Sequence, residues 1–478
     1  MKKKKKLHSL LKYLTIVILV WLGCISCNQE QAHAAEKTYI IATDTTFAPF
    51  EFESQEGKFV GIDVELLEAI AKEEGFDYQL KRLGFNAAVQ ALESGQADAV
   101  MAGMSITNER KSSFDFTDPY FDSAVIFGAK KGSSIHSLED LRGKKIAVKT
   151  GTSGAKQASK MKDKYDLKIT TFEDSSNMYE DVLSGNSDAA VEDYPVMAYA
   201  INTGMELQLV GDKIPNGELG VAVGKGKSPE FLEKFNRGLK KLKENGQYDE
   251  IVNRYLSTSG QEIDHSLFGL LRGNFKNIAM GLFNTIKITA FAILFAFLVG
   301  VVIAMMAVSD SAILGRVASA YVHLFRGLPV IVLAFFIYFG IPQLCDINLS
   351  ANIAGIITLT LNASAYISEI IRGGILGIPV GQFEASRSLG LTKSMTMRKI
   401  ILPQAFKLMI PAFINQFVIT LKDTSILSVI GLVELTQTGK IIIARTYQSG
   451  KIWFIVGVLY IIIITLLTKL SKHIERSL

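Results

Sequence analysis

The most constraining feature of this chain is a set of apolar runs confined to its C-terminal part. They lie at 282–307, 317–341, 351–371, 408–421 (continuing toward 432) and 452–470. Each reaches or approaches the roughly 20 residues that a bilayer core requires. Hydrocarbon offers the backbone no hydrogen-bond partner, so these runs are expected to be helices, about five spans in all. The fourth is interrupted by Lys422 and Asp423. Residues 38–260 contain no such run and read as an ordinary water-soluble sequence. The composition of all 478 residues, 49% hydrophobic and 20% charged, thus averages two unlike parts.

The N-terminus supplies the topology. Lysines at 2–6 and Lys12 precede an apolar stretch from Leu14 to about Gly23, and a small-residue run ends in Ala32-His33-Ala34-Ala35. This order reads as a secretory signal spanning 1–35. An uncleaved anchor is one alternative. Lipidation at Cys24 or Cys27 is another, although Trp21 fits a lipoprotein site poorly. In each case the following domain is exported. The net charge of +5 equals the lysine run alone, so no nucleic-acid partner is expected. With Cys24, Cys27 and Cys345 as the only cysteines and six scattered histidines, neither a disulfide framework nor a metal site is expected.

Between 36 and 260 the pattern alternates as in an α/β protein. Buried strands are predicted at 39–42, 78–83, 99–102, 146–149 and 189–191. Amphipathic helices are predicted at 63–74, 86–93, 175–184 and 195–202. About 220 residues suits two lobes, each a largely parallel sheet with helices on both faces. Ligands of such sheets bind at strand carboxyl ends and helix amino ends. Three junctions carry suitable chemistry. Ser105 and Arg110 follow one strand, and a guanidinium fork matches a carboxylate. Lys149-Thr150-Gly151-Thr152-Ser153-Gly154 opens a helix with free N–H groups. Glu192-Asp193-Tyr194 offers a carboxylate to an ammonium. Phe47, Phe52 and Phe85 would supply apolar walls. Together these describe a site for an α-amino acid, although each has a plainer role: surface Arg110, Asp193 as a helix cap, phenylalanines as core.

The segments Ala42-Thr43-Asp44-Thr45-Thr46-Phe47-Ala48-Pro49-Phe50-Glu51-Phe52, Gly61-Ile62-Asp63-Val64, Ala102-Gly103-Met104-Ser105-Ile106-Thr107-Asn108-Glu109-Arg110, Asp115-Phe116-Thr117 and Ala147-Val148-Lys149-Thr150-Gly151-Thr152 make 38–258 similar to the amino-acid-specific solute-binding proteins of bacterial uptake systems. The resemblance implies lobe 1 at about 38–123 and 222–258, lobe 2 at about 124–221, crossings near 123–127 and 219–222, and closure by hinge motion. It implies that the segment from Ser105 to Arg110 holds the α-carboxylate with help from Thr152, that Asp193 takes the ammonium, that Phe47 and Phe85 flank the side chain, and that Gly103 belongs to the same ligand site. The glutamine-specific branch shares Asp44 and Lys149, one acceptor and one donor for a side-chain amide. Glu192 stands where that branch carries histidine, which leaves asparagine and glutamate open beside glutamine.

A connector at 261–276 leads to a predicted membrane domain at 277–478. An exported first half and an odd number of spans place the C-terminus in the cytoplasm, in keeping with Lys469, Lys472 and Arg476. The segment 373–407 is then cytosolic. It contains Glu384-Ala385-Ser386-Arg387-Ser388-Leu389-Gly390 and, after nine more residues, Ile400-Ile401-Leu402-Pro403. This predicts two short helices turning at Gly390, the second ended by Pro403. The pattern resembles the coupling loop of ABC importer permeases, with Glu384, Ala385, Gly390 and Pro403 as its markers. Phe325-Arg326-Gly327-Leu328-Pro329 and Gly373-Gly374 resemble the polar-amino-acid branch. Asn362, Ser364 and Glu369 are intramembrane polar groups, either functional or contacts between helices.

No phosphate-binding loop is present: Gly226-Lys227-Ser228 lacks the glycine required upstream. The expectation is therefore an exported two-lobed α/β binding domain fused to an all-α permease, taking up a polar amino acid, glutamine first. It binds no cofactor itself; ATP would be used by a separate cytosolic ATPase dimer, and the chain would pair with a second copy. A ligand-gated channel or sensor would interrupt the lobes with spans or add a cytosolic signalling domain. An exported enzyme on this fold would need an acid/base pair beyond the zwitterion's partners.

Overall fold

A computed structural model describes residues 37–54, 56–257, 264–345 and 347–477, with side chains as far as Lys469. The predicted signal at 1–35 lies outside the described residues. The chain enters with β1 (Tyr39–Thr43) and then folds a small antiparallel sheet from β2 (Thr46–Phe47), β3 (Glu51–Glu53) and β4 (Phe59–Val60). Helix α1 (Ile62–Glu74) leads to β5 (Tyr78–Arg82), α2 (Phe85–Glu93) to β6 (Ala99–Val100), and α3 (Asn108–Ser113) to β7 (Phe114–Phe116). The apolar spacing of α1 buries Leu66, Leu67 and Ile70, and a left-handed Gly75 closes its end. The predicted strand at 99–102 keeps only its first two residues, because the chain then turns toward the cleft.

The second lobe comprises β8 (Phe121–Lys130), β9 (Lys145–Lys149), α4 (Ser153–Tyr165), β10 (Lys168–Phe172), α5 (Ser175–Leu183), β11 (Ala189–Asp193), α6 (Tyr194–Asn202) and β12 (Leu207–Leu219). The chain returns through β13 (Ala222–Gly224), α7 (Pro229–Glu244) and α8 (Gln247–Leu256). The two five-stranded sheets run β5-β1-β6-β13-β7 and β10-β9-β11-β8-β12. Both are mixed: β1, β5 and β6 are parallel, as are β9, β10 and β11, while β7, β8, β12 and β13 bring the antiparallel pairs. The predicted first crossing at 123–127 lies inside β8. That strand already pairs with β12 at Phe121↔Leu219, so the chain changes sheets earlier, between Phe116 and Phe121.

The membrane half holds α9 (Leu267–Gly273), α10 (Phe275–Ala307), α11 (Ala312–Gly327), α12 (Val330–Phe335), α13 (Ile341–Cys345), α14 (Ala351–Leu376), α15 (Val380–Ser388), α16 (Lys393–Thr396), α17 (Leu402–Asp423), α18 (Leu435–Thr446) and α19 (Ser449–Ser477). Among the described residues, four helical stretches are long and apolar enough to cross a bilayer; a bent pair, 312–327 with 330–345, makes up to five. The bend is 101°. Its cause is Pro329, which forces Leu328 into an extended conformation (φ −89°, ψ 132°). One apolar core runs from lobe 1 into the membrane half, joining Leu83, Phe85 and Ala88 to Leu333, Ile337 and Leu432. The Arg445 guanidinium donates to the Ser54 carbonyl, and Asn277 donates to Glu53 at 2.6 Å.

Candidate functional site

Turn geometry brings the residues together. Beyond β6 the chain adopts φ +54° at Gly103, where a Cβ would strike the Phe47 ring, so only glycine fits. This turn delivers Ser105 and then α3, whose first turn carries Arg110 and is capped by Thr107 accepting from the Arg110 N–H at 3.2 Å. Across the cleft, β9 ends at Lys149, and Thr152 caps α4 by accepting from Ala155 N–H at 3.2 Å. Strand β11 ends at Asp193, which stands at the cap position of α6 without making a side-chain cap bond. Its carboxylate accepts instead from the Ser123 hydroxyl at 2.6 Å.

Asp44, Phe47, Phe85, Gly103, Ser105, Arg110, Lys149, Thr152 and Asp193, the nine residues singled out in the sequence, line one cavity, joined by Ala102 and Ser153. The lobes are closed on each other here. Arg110 Nη1 donates to the Ser105 carbonyl and Nη2 to the Gly151 carbonyl of the other lobe, both at 2.9 Å. Ser105 meets Ser153 at 3.1 Å, and Lys149 Nζ donates to Asp44 at 2.5 Å. The remaining cavity is about 10 Å³, room for roughly one water. Admitting an amino acid requires the lobes to part. Phe52 is not in the wall: it packs on Tyr199 and Tyr255, with ring centroids 5.7 and 6.1 Å away. Strand alternation turns Glu192 away from Asp193 and the cavity, where it accepts from the Ser175 hydroxyl at 2.7 Å.

The electrostatics follow from burial. Asp44 and Lys149 are each 2% exposed. Burial opposes the Lys149 charge, but the Asp44 and Glu192 carboxylates outweigh it and hold the ammonium above its ordinary value. Its Nζ also stands 5.1 Å from the Phe47 ring centre and 6.0 Å from that of Phe85. Asp44 Oδ1 is taken by the N–H groups of Thr45 and Thr46 and by the Thr46 hydroxyl. Burial raises Asp193 to about 6, and burial with the neighbouring Asp193 raises Glu192 to about 7. Burial lowers the Arg110 guanidinium, which lies 5.3 Å from the Phe85 ring centre. Ser123, Ser153 and Asn216, whose amide donates to Ser153 at 2.6 Å, complete the polar surround. Ser153 lay inside the Gly151–Gly154 run; nothing local marked Ser123 or Asn216. Among the described residues no group of histidine, cysteine and acidic side chains could hold a metal.

In the segment 373–407, Glu384 and Ala385 lie on α15, and Gly390 makes the turn at φ +78°. The expectation that Pro403 ends the second short helix is corrected. A π turn at Met397–Ile401 runs straight into α17, so Pro403 lies inside one helical stretch, Lys393–Ile430, just past the point where the π turn has already shifted the backbone hydrogen bonds. Within α14, Ser364 shares a 2.7 Å hydrogen bond with Tyr321 of α11, and Glu369 pairs with Arg372 at 2.7 Å. Asn362 is buried.

Residues 39–258 match bacterial extracellular solute-binding proteins, family 3, and residues 296–478 match the binding-protein-dependent transport system inner membrane component. A putative glutamine transport system permease protein of Rickettsia felis is 34% identical over 201 residues, which is 42% of this chain and 92% of that one. The glutamine transport system permease protein of Escherichia coli is 40% identical over 167 residues, 35% of this chain and 76% of its own. The first half is similar to an arginine-binding extracellular protein of Bacillus subtilis, 31% identical over 238 residues, 49% of this chain and 92% of that protein. The chain therefore belongs to the ABC importers, as a solute-binding domain and a membrane-spanning permease joined in one polypeptide.

Proposed function

We propose that this chain captures glutamine and passes it through its own membrane half. The observation that carries the reading is the buried Asp44–Lys149 pair between Phe47 and Phe85. On this reading Arg110 exchanges the Gly151 carbonyl for the α-carboxylate, and Asp193 takes the ammonium. The side-chain amide then meets a lining of zero net charge. Its carbonyl accepts from Lys149 and its NH2 donates to Asp44. A guanidinium would approach the Lys149 ammonium, and two like charges 4 Å apart at an effective dielectric of 20 repel by about 4 kcal/mol. A glutamate carboxylate would meet Asp44 at similar cost. The names of the Rickettsia and Escherichia relatives agree with glutamine.

A second reading, arginine, is favoured by the Bacillus relative and by the two phenylalanine faces, which suit a planar cation. It requires Lys149 to leave the place it holds between them. Calorimetric titration of the full-length protein with glutamine, asparagine, glutamate and arginine separates the readings. Glutamine is expected to bind tightest; tight arginine binding with none for glutamine would overturn the assignment.

The same proposal places the binding domain outside the membrane and the C-terminus inside. It assigns the loop turning at Gly390 to the surface of a separate cytosolic ATPase, which supplies the ATP chemistry this sequence lacks. Two copies of the chain would enclose the path, giving two binding domains per assembly. Tethering then replaces diffusion of a free binding protein by a high local concentration at the permease.

A further inference from the structure

Glu51 on β3 and Asp63 on the first turn of α1 lie beneath the cleft, 0% and 2% exposed. Asp63 Oδ2 accepts from the Gly103 N–H at 3.0 Å and from the Tyr120 hydroxyl at 2.9 Å. Asp63 Oδ1 and both Glu51 oxygens are buried without a donor, although the two carboxyls are in hydrogen-bonding contact. Two ionised carboxylates have no hydrogen to place between them, and isolated buried charge is costly. The groups facing the pair bring little relief. Asp44 adds negative charge, Lys149 is engaged by Asp44 at 2.5 Å, and Tyr120 already donates to Asp63. Tyr248 donates its own hydroxyl to the Tyr120 carbonyl at 2.6 Å.

We propose that Glu51 and Asp63 share one proton, with Glu51 as the neutral donor and Asp63 as the anion, and that this pair positions the Gly103 turn of the amino-acid site. The division of roles follows from the contacts: Asp63 has two other donors and Glu51 has none. Burial first, then the Asp63 and Asp44 carboxylates, push Glu51 well above the usual carboxylate range, and burial pushes Asp63 to about 6. A raised value in the folded protein means that the folded state binds the proton more tightly than the unfolded chain. The pair's support is therefore complete at low pH and is lost as pH rises through the raised value. Losing the proton sets two buried anions against each other. Asp63 then releases the Gly103 N–H, and the turn that aims Ser105 and Arg110 loosens.

The link to ligand rests on the proposed glutamine site, whereas the proton itself does not, so two measurements separate them. Infrared spectra of the full-length protein in nanodiscs at pH 7 should contain the C=O stretch of a protonated carboxylic acid that disappears in Glu51→Gln. If no such band is removed, the shared proton is refuted whatever the ligand. Glutamine titrations from pH 6 to 8.5, below the range in which the ligand's own ammonium titrates, should show wild-type affinity falling on the alkaline side, by up to about tenfold per unit once the proton is lost. In Glu51→Gln, whose amide donates to Asp63 at every pH, that alkaline limb should be flat, and Glu51→Ala should weaken binding about tenfold at pH 7. An alkaline limb identical in wild type and Glu51→Gln, with the band nonetheless lost, would refute the positioning role alone.

Discussion

Lys149 and Thr420 are almost equally buried, at 2% and 1% exposure, yet they are satisfied in different ways. Lys149 carries a full charge, and its partner, Asp44, belongs to the opposite lobe. Thr420 returns its hydroxyl to the Gln416 carbonyl of its own helix at 2.9 Å. The contrast recurs throughout the two halves. Thr285, Thr289, Thr358 and Thr446 each donate to the carbonyl four residues earlier, a local bond, although the Thr285 hydroxyl also accepts from the Leu435 N–H. Among the described residues, the membrane half fully buries one acid, Glu434, held by the Gln437 N–H and the Tyr460 hydroxyl. The binding half buries Asp44, Glu51, Asp63, Lys149, Glu192 and Asp193, and the Asp44–Lys149 bond among them crosses the cleft. Opening the lobes must therefore exchange the charged Asp44–Lys149 contact, whereas Thr289, Thr358, Thr420 and Thr446 keep these bonds to their own helices when the helices shift. In the binding half, recognition and closure draw on the same groups.

The largest effect is expected where that exchange is made impossible. Lys149→Met leaves Asp44 buried without its cation and should cost about 3–5 kcal/mol of stability. Denaturant unfolding of the full chain measures it, and Asp44→Asn combined with Lys149→Met should recover most of the loss. A single variant as stable as wild type would remove the distinction between the halves. Arg110→Ala deletes two charge-assisted hydrogen bonds to the ligand carboxylate, together worth at least about 100-fold in glutamine affinity. An unchanged calorimetric titration would displace the carboxylate from Arg110. Next in size is the acid limb of binding. Asp193, raised to about 6, must be ionised to hold an ammonium. Affinity should be full above that value and fall by about tenfold per unit below it, as titrations at pH 5–7.5 would reveal.

A smaller effect is expected at Gly390. Its φ of +78° makes any Cβ strained although nothing crowds it, so Gly390→Ala should cost about 1–2 kcal/mol locally. Glutamine affinity should stay at the wild-type value while ligand-stimulated hydrolysis by the added ATPase falls; undiminished stimulation would count against the coupling role. Smallest of all, Thr358→Val in the membrane half should change stability by less than about 1 kcal/mol. A loss as large as that of Lys149→Met would show that these hydroxyls do more than answer their own helix.

Much of this was legible from local pattern. The helix at 62–74 declares itself through Leu66, Leu67 and Ile70 on one face, and the span at 275–307 through the long apolar run that follows Thr289. The cleft residues could be named because strand ends and helix starts are local events, each marked by its own short run. Where expectation and structure part, the missing information was not local. Phe52 has the same spacing and chemistry as Phe47, and only packing against Tyr199 and Tyr255 assigns it to the core. Pro403 is equally suited to follow one helix or to open another; it does neither, because the π turn at Met397–Ile401 carries the helix through it into α17.

By itself, the sequence determined a soluble α/β half, an oily helical half and the side chains that line the cleft, because periodicity and junction chemistry act over a few residues. Only the tertiary structure decided which distant groups meet: Arg110 with the Gly151 carbonyl across the cleft, and, within single lobes, Asp193 with Ser123, Asn216 with Ser153 and Glu51 with Asp63. These partners come from distant strands or separate elements. Their meeting depends on how the strands of each sheet line up and how the two lobes close, which no window of neighbouring residues encodes.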